Sequence, residues 1–186
     1  MVSRRAFIKI LRALLDEGIK FTLIGDTIIS LTLGLDNLGN DIDLFVEAPS
    51  LFERESFYQE LAERHSWAYG QTWLGTPKIT ALIDDEEVEV EFYDNLYDFY
   101  VPEAFIRASK KVNVNGLKIK AITLEEYITL KAYSGRENDM KKLSEISALV
   151  KNKRIRIDRG RLINDIREME DQRTILGRLR TVGIEV

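Results

Sequence analysis

One stretch constrains this chain more than any other: Gly39-Asn40-Asp41-Ile42-Asp43-Leu44-Phe45-Val46-Glu47. Apolar Ile42, Leu44 and Val46 alternate with polar Asp41, Asp43 and Glu47, the pattern of a strand with one buried face. Side chains two apart on a strand share a face, so Asp41 and Asp43 stand side by side. Adjacent carboxylates repel, and a cation between them removes the cost. A hard divalent ion such as Mg²⁺, or Mn²⁺ in its place, takes oxygen ligands and bridges to phosphate. A solvent-facing strand with two acids by chance has the same spacing.

Upstream, the apolar run Phe21-Thr22-Leu23-Ile24 meets Gly25 and then Asp26-Thr27-Ile28-Ile29-Ser30-Leu31. This reads as a strand, a tight glycine turn and a short helix. Glycine lets the backbone approach a ligand closely, and a helix start offers free N–H groups to phosphate. Asp26 is a good residue to cap that helix. A phosphate cradle followed by a two-carboxylate strand is suited to a metal-bound triphosphate.

The stretch from Gly25 to Asp43 resembles the signature of the polymerase-β-like nucleotidyltransferase superfamily. That signature is a Gly followed by Gly or Ser, a spacer, and two acids flanking an apolar residue. The later run Leu124-Glu125-Glu126-Tyr127-Ile128-Thr129-Leu130-Lys131-Ala132-Tyr133-Ser134-Gly135-Arg136-Glu137-Asn138-Asp139 is similar to the helix after the core in small prokaryotic members, toxin-like ones included. There a Lys, an Arg and an Asp recur in that order. The resemblance spans about residues 20–150.

It implies an α/β (α+β) fold: a mixed sheet flanked by helices, with a nucleotidyltransferase-like core over residues 1–122 and a helical region over 123–186. It implies Asp41 and Asp43 as metal ligands, with a third carboxylate on a neighbouring strand. In Val88-Glu89-Val90-Glu91-Phe92, Glu89 and Glu91 share a face, and either can serve; Val90 to Asp94 resembles the family's strand, which selects Glu91. Gly25, Asp26 and Thr27 would receive an NTP such as ATP, and Lys131 and Arg136 would meet its phosphates. Lys131 at the edge of an apolar helix face can equally snorkel to water, and Arg136 can form a local ion pair with Asp139. Two departures, Asp26 where the family has Ser or Gly and a glutamate at 91, fit an alternative: a degenerate binding module or antitoxin-like partner without catalysis.

Charge bears on the acceptor. Residues 1–140 carry 15 Lys and Arg against 24 Asp and Glu, and residues 141–186 carry 12 against 7. A basic tail can contact tRNA or face the acidic core of a second copy in a homodimer. No aromatic follows Tyr133 to stack on bases, which favours the second. A tRNA, a protein or a small molecule remains open as acceptor. With no cysteine, thiolate metal sites and disulfides are excluded. The absence of a membrane-length apolar run and of a signal-peptide pattern gives the expectation of a cytoplasmic protein.

Residues 3–17 form an amphipathic helix. A helix opens at Pro49-Ser50 with Ser50 and Glu53 as a capping box and Leu51, Phe52, Phe57, Tyr58 and Leu61 on its core face. Strands follow at Trp67 to Trp73 and at Ile79 to Ile83. Asn115-Gly116 turns a hairpin. Thr123 and Glu126 form a capping box for the helix bearing Lys131, residues 141–150 continue as helix, and further helices follow at 160–170 and 172–182.

Overall fold

Seven segments supply the strands, and all join one sheet. The structure, a computed structural model, describes residues 1–186 apart from the side chain of Glu55. The strands are β1 (Lys20–Ile24), β2 (Asp41–Ala48), β3 (Ala68–Gln71), β4 (Pro77–Ile83), β5 (Glu86–Tyr93), β6 (Lys110–Val114) and β7 (Leu117–Ala121). Their order is β3-β4-β5-β2-β1-β7-β6. The sheet is mixed: β2 runs parallel to β5 and antiparallel to β1, while β1 runs parallel to β7. The helices are α1 (Arg4–Asp16), α2 (Thr27–Thr32), α3 (Glu55–Arg64), α4 (Glu103–Ala108), α5 (Leu124–Ser134), α6 (Glu137–Lys151), α7 (Arg159–Arg167) and α8 (Gln172–Val182). This is the expected α/β class. The chain forms two units, Met1–Leu96 with Ser109–Ala121, and Tyr97–Ala108 with Ile122–Val186.

In the first unit, strand alternation decides which face is buried. Ile42 pairs with Val90 and Leu44 with Phe92 across β2 and β5, and Leu23 pairs with Leu44 across β1 and β2. All of these are fully buried. Helix α1 packs on β4 and β5 through Phe7, Ile10, Leu11 and Leu14. Each such side chain contributes about 1.5–3 kcal/mol when withdrawn from water. Ser3 caps α1, its Oγ accepting the Ala6 N–H at 3.2 Å. The opposite sheet face is thereby left for Asp41, Asp43, Glu89 and Glu91.

Two expectations are corrected. Helix α3 begins at Glu55, not at Ser50. Ser50 Oγ does accept the Glu53 N–H at 3.3 Å, but this closes only a turn. Arg54 has φ −133° and ψ 39°, which interrupts helical geometry, and Phe52 is 55% exposed instead of lying on a core face. Strand β3 ends at Gln71, so Trp73 sits in a loop. That loop is tied by a 2.7 Å hydrogen bond between the buried Thr72 and Thr76 hydroxyls.

The second unit is helical. Thr123 and Glu126 form the expected capping box at the start of α5. Gly135 ends α5 at φ 62°. A Cβ there would lie 2.1 Å from the Arg178 guanidinium carbon, and that guanidinium donates to the carbonyls of Ala132 and Tyr133. Glycine is required by both the left-handed turn and this close approach. Helix α5 packs against α6, α7 and α8. Among the described residues, no helix is long and apolar enough to cross a membrane.

Candidate active site

The parallel register of β2 and β5 builds the site. Asp41 lies opposite Glu89, and Asp43 opposite Glu91. Asp41, Asp43 and Glu91 each present a carboxylate oxygen, and these oxygens all lie within 4.8 Å of one another. All three residues are half-buried. Converging oxygens of this kind match the all-oxygen donor set of a hard divalent ion, so the residues present fit Mg²⁺ or Mn²⁺. Glu89, the other candidate on the same face, pairs instead with Lys78 at 3.4 Å.

Gly25 has φ +76°, and a Cβ on it would fall 1.8 Å from Asp43 Oδ2. The glycine is therefore what lets the Asp43 carboxylate lie against the β1–α2 turn. Thr27 is buried, and its hydroxyl donates to the Leu38 carbonyl at 3.0 Å, tying the turn to the segment that leads into β2. Asp26 departs from expectation. It precedes α2 but makes no side-chain capping bond, because its own backbone is already helical, at φ −67° and ψ −22°. Capping side chains need the extended backbone of a true N-cap.

Sequence reasoning missed the residues behind Glu91. Tyr93, two positions on along β5 and therefore on the same face, donates its hydroxyl hydrogen to Glu91 Oε2. The Trp73 indole N–H reaches the Tyr93 hydroxyl in turn. Burial raises the Tyr93 phenol above its usual value, and the hydrogen bond to Glu91 and the charges of Asp43 and Glu91 push the same way. Alternation along Glu91-Phe92-Tyr93 could have placed Tyr93 on this face; the approach of Trp73 depends on the loop fold and has no local signal.

Lys131 and Arg136 belong to the second unit, where both meet Asp139. Lys131 Nζ lies 3.0 Å from Asp139 Oδ1, and Arg136 Nε 2.9 Å from Oδ2. Asp139 is 2% exposed. Desolvation alone would raise its pKa, but hydrogen bonds from Ser134, Arg136 and Lys131 outweigh burial and hold it below the usual carboxylate value. Among the expected site residues, the first unit thus gathers Asp41, Asp43, Glu91, Gly25 and Thr27 around one face, and the second unit gathers Lys131 and Arg136 on one buried acid.

A cavity of about 550 Å³ opens beside Asp41, lined by Met1, Asn40, Asp41, Glu86, Glu87 and Glu89.

Comparison with known proteins identifies a family and a shared fold. Residues 3–181 match a family described as "Nucleotidyl transferase of unknown function (DUF2204)". Two solved structures share the fold. One is an antigenic nucleotidyltransferase-like protein from Paracoccidioides brasiliensis, at 15% identity and TM-score 0.52, covering 96% of this chain and 84% of that one. The other is the antibiotic-resistance factor ANT(2'')-Ia, at 20% identity and TM-score 0.50, covering 72% of each chain. No curated protein sequence matches. The chain belongs to the DUF2204 nucleotidyl transferase family.

Proposed function

From that membership we propose that this chain is a Mg²⁺-dependent nucleotidyltransferase, moving a nucleoside monophosphate from an NTP to an acceptor. The observation that carries the reading is the convergence of Asp41, Asp43 and Glu91 oxygens within 4.8 Å. Asp41 and Asp43 hold the cation, and Glu91 completes the set or takes the proton from the attacking group. When bound there, the cation supplies Lewis-acid stabilisation to the phosphate oxygens. The Gly25–Thr27 turn receives the outer phosphates. Lys131 and Arg136, both paired with Asp139 in the second unit, are the cations that the family resemblance assigns to phosphate charge. In the reaction, an acceptor oxygen or nitrogen bonds to the α-phosphorus, the bond to pyrophosphate breaks, and the acceptor proton leaves to a carboxylate.

The charge beside Asp41 bears on the acceptor class. The cavity beside Asp41 is lined by Glu86, Glu87 and Glu89, which repel a polyanion. This supports a small-molecule or protein acceptor over a tRNA end. The reading is tested by incubating the chain with each labelled NTP, Mg²⁺ and cell fractions of RNA, protein and small molecules, beside Asp43→Ala. Label transferred by the wild type and lost in the variant is the expected result.

A second reading is favoured by one observation. Asp26 places a carboxylate without a capping role in the turn assigned to phosphate. A degenerate module that binds nucleotide without turnover would show Mg²⁺-nucleotide binding, no transfer to any fraction, and biological activity indifferent to Asp43→Ala.

A further inference from the structure

We propose that Trp73, Tyr93 and Glu91 form one hydrogen-bonded relay in which Tyr93 is a positioning residue, fixing the carboxylate of Glu91 for the metal site, and Trp73 holds Tyr93 in place. The inference rests on the proposed function, because it concerns the third carboxylate of that site. A glutamate at this place has one more rotatable bond than an aspartate, so its carboxylate needs an outside constraint. The constraint is visible. Tyr93 is 6% exposed, and its hydroxyl donates to one oxygen of Glu91, Oε2. A carboxylate has two oxygens, so one can face the Tyr93 donor while the other remains available to a cation. Outer partners of this kind fix the direction of a ligand.

The second link fixes the first. A tyrosine hydroxyl both donates and accepts, and it turns freely about its C–O bond. Indole N–H can only donate. Its approach to the Tyr93 oxygen therefore leaves the Tyr93 hydrogen directed at Glu91. Trp73 is 64% exposed, so burial does not account for its position. Its loop does: Thr72 and Thr76 clamp it through their hydroxyls and through a 2.8 Å bond from the Thr72 N–H to the Thr76 carbonyl.

Strand order also places the relay. Gly25 follows β1, on one side of β2, while Glu91 and Tyr93 lie on β5, on the other side. In-line displacement has the attacking group enter opposite the departing pyrophosphate. With the outer phosphates at the Gly25 turn, the acceptor enters on the β5 side. The relay would then steady the carboxylate nearest the attacking group, with Trp73 at its outer end.

The test measures Mn²⁺ affinity of the full chain from the free-ion EPR signal, in wild type, Tyr93→Phe, Glu91→Gln and the double variant. Tyr93→Phe keeps the ring and removes only the hydroxyl. The expected result is a loss of affinity of about 10-fold or more in Tyr93→Phe, and no further loss on adding it to Glu91→Gln. Non-additivity of this kind reports coupling between the two residues, which mere packing damage would not produce. Trp73→Phe should weaken Mn²⁺ binding less than Tyr93→Phe, and it carries the test if Tyr93→Phe does not fold. Binding that is lost in Asp43→Ala but unchanged in Tyr93→Phe overturns the relay and leaves the proposed function standing. Equal losses from Tyr93→Phe in both backgrounds also overturn it. No Mn²⁺ binding by the wild type overturns the metal site and the relay together.

Discussion

Each unit of this molecule contains a cluster of three acids, and the two clusters manage their charge in opposite ways. In the second unit, Glu125, Glu126 and Asp165 are 8%, 1% and 9% exposed. Protein donors occupy them. Glu126 takes the Thr123 N–H at 2.7 Å and Arg161 at 3.3 Å, and Glu125 takes the Asp158 N–H at 2.9 Å. Asp165 keeps one oxygen, Oδ2, without a hydrogen-bond partner, and burial together with the charge of Glu126 pushes its pKa up to about 7. One acid of the cluster thus keeps its proton to higher pH than a free carboxyl does. In the first unit, Asp41, Asp43 and Glu91 are half-buried and aim their oxygens at a common point. The second-unit acids turn their oxygens toward donors from other segments, whereas each first-unit acid brings an oxygen to within 4.8 Å of the other two, even though Glu91 also accepts from Tyr93. Burial alone would not separate the two cases, but oxygen convergence does.

Substitutions can break this comparison, and the largest effect is expected at Asp43. Asp43→Ala should lower nucleotidyl transfer by about 10²–10³-fold or more. It should leave the thermal midpoint in metal-free buffer unchanged or higher, since it relieves repulsion. A large drop in that midpoint would make Asp43 a structural residue like Glu126.

Gly25→Ala comes next. The new Cβ would fall on Asp43 Oδ2, at a backbone φ of +76° that alanine adopts at a cost. Transfer should fall nearly as far as in Asp43→Ala, with a stability loss above about 1 kcal/mol in urea titration. Full activity in this variant would show that Asp43 can do its work away from the turn.

Glu126→Ala should destabilise by about 1–3 kcal/mol, through the lost capping box and an unpartnered Arg161. Denaturant unfolding measures this directly. Metal affinity should not change.

The smallest effect concerns Asp165. Its folded pKa of about 7 lies above its usual value of 3.8. As pH rises from about 4 to about 7, the unfolded chain loses this proton before the folded chain does, so stability falls. The slope from this one group is about 1.4 kcal/mol per pH unit at most, and it vanishes above the folded pKa. Asp165→Asn should flatten that part of the stability–pH curve and raise stability above pH 7. An unchanged curve would mean that Asp165 is ionised in the folded chain.

The first-unit cluster was legible in the sequence because strand alternation is strictly local. Asp41-Ile42-Asp43 fixes its own facing, and Val88 to Phe92 does the same for Glu89 and Glu91. The resemblance of Val90 to Asp94 selects Glu91 of those two glutamates; in the structure Glu91 lies opposite Asp43 and shares its oxygen cluster, while Glu89 pairs with Lys78. The second-unit cluster was hidden. The sequence marks Glu126 only as a cap; its neighbours Arg161 and Asp165 lie some way along the chain, on α7, and helix packing brings them in. Asp26 and Ser50 show the limit of reading caps from residue type. Both have the right chemistry, but capping is decided by backbone angles, which are helical at Asp26 and turn-forming after Ser50. Trp73 escaped because a loop clamped by Thr72 and Thr76, not a strand, delivers it to Tyr93.

The most direct measurement is a crystal structure of the chain grown with Mn²⁺ and a non-hydrolysable NTP analogue, with anomalous data collected at the manganese edge. The account predicts an anomalous peak bridging Asp41 and Asp43, with the outer phosphates at the Gly25–Thr27 turn. Triphosphate bound with no manganese at those carboxylates, or manganese held at Glu125, Glu126 and Asp165 instead, would contradict it.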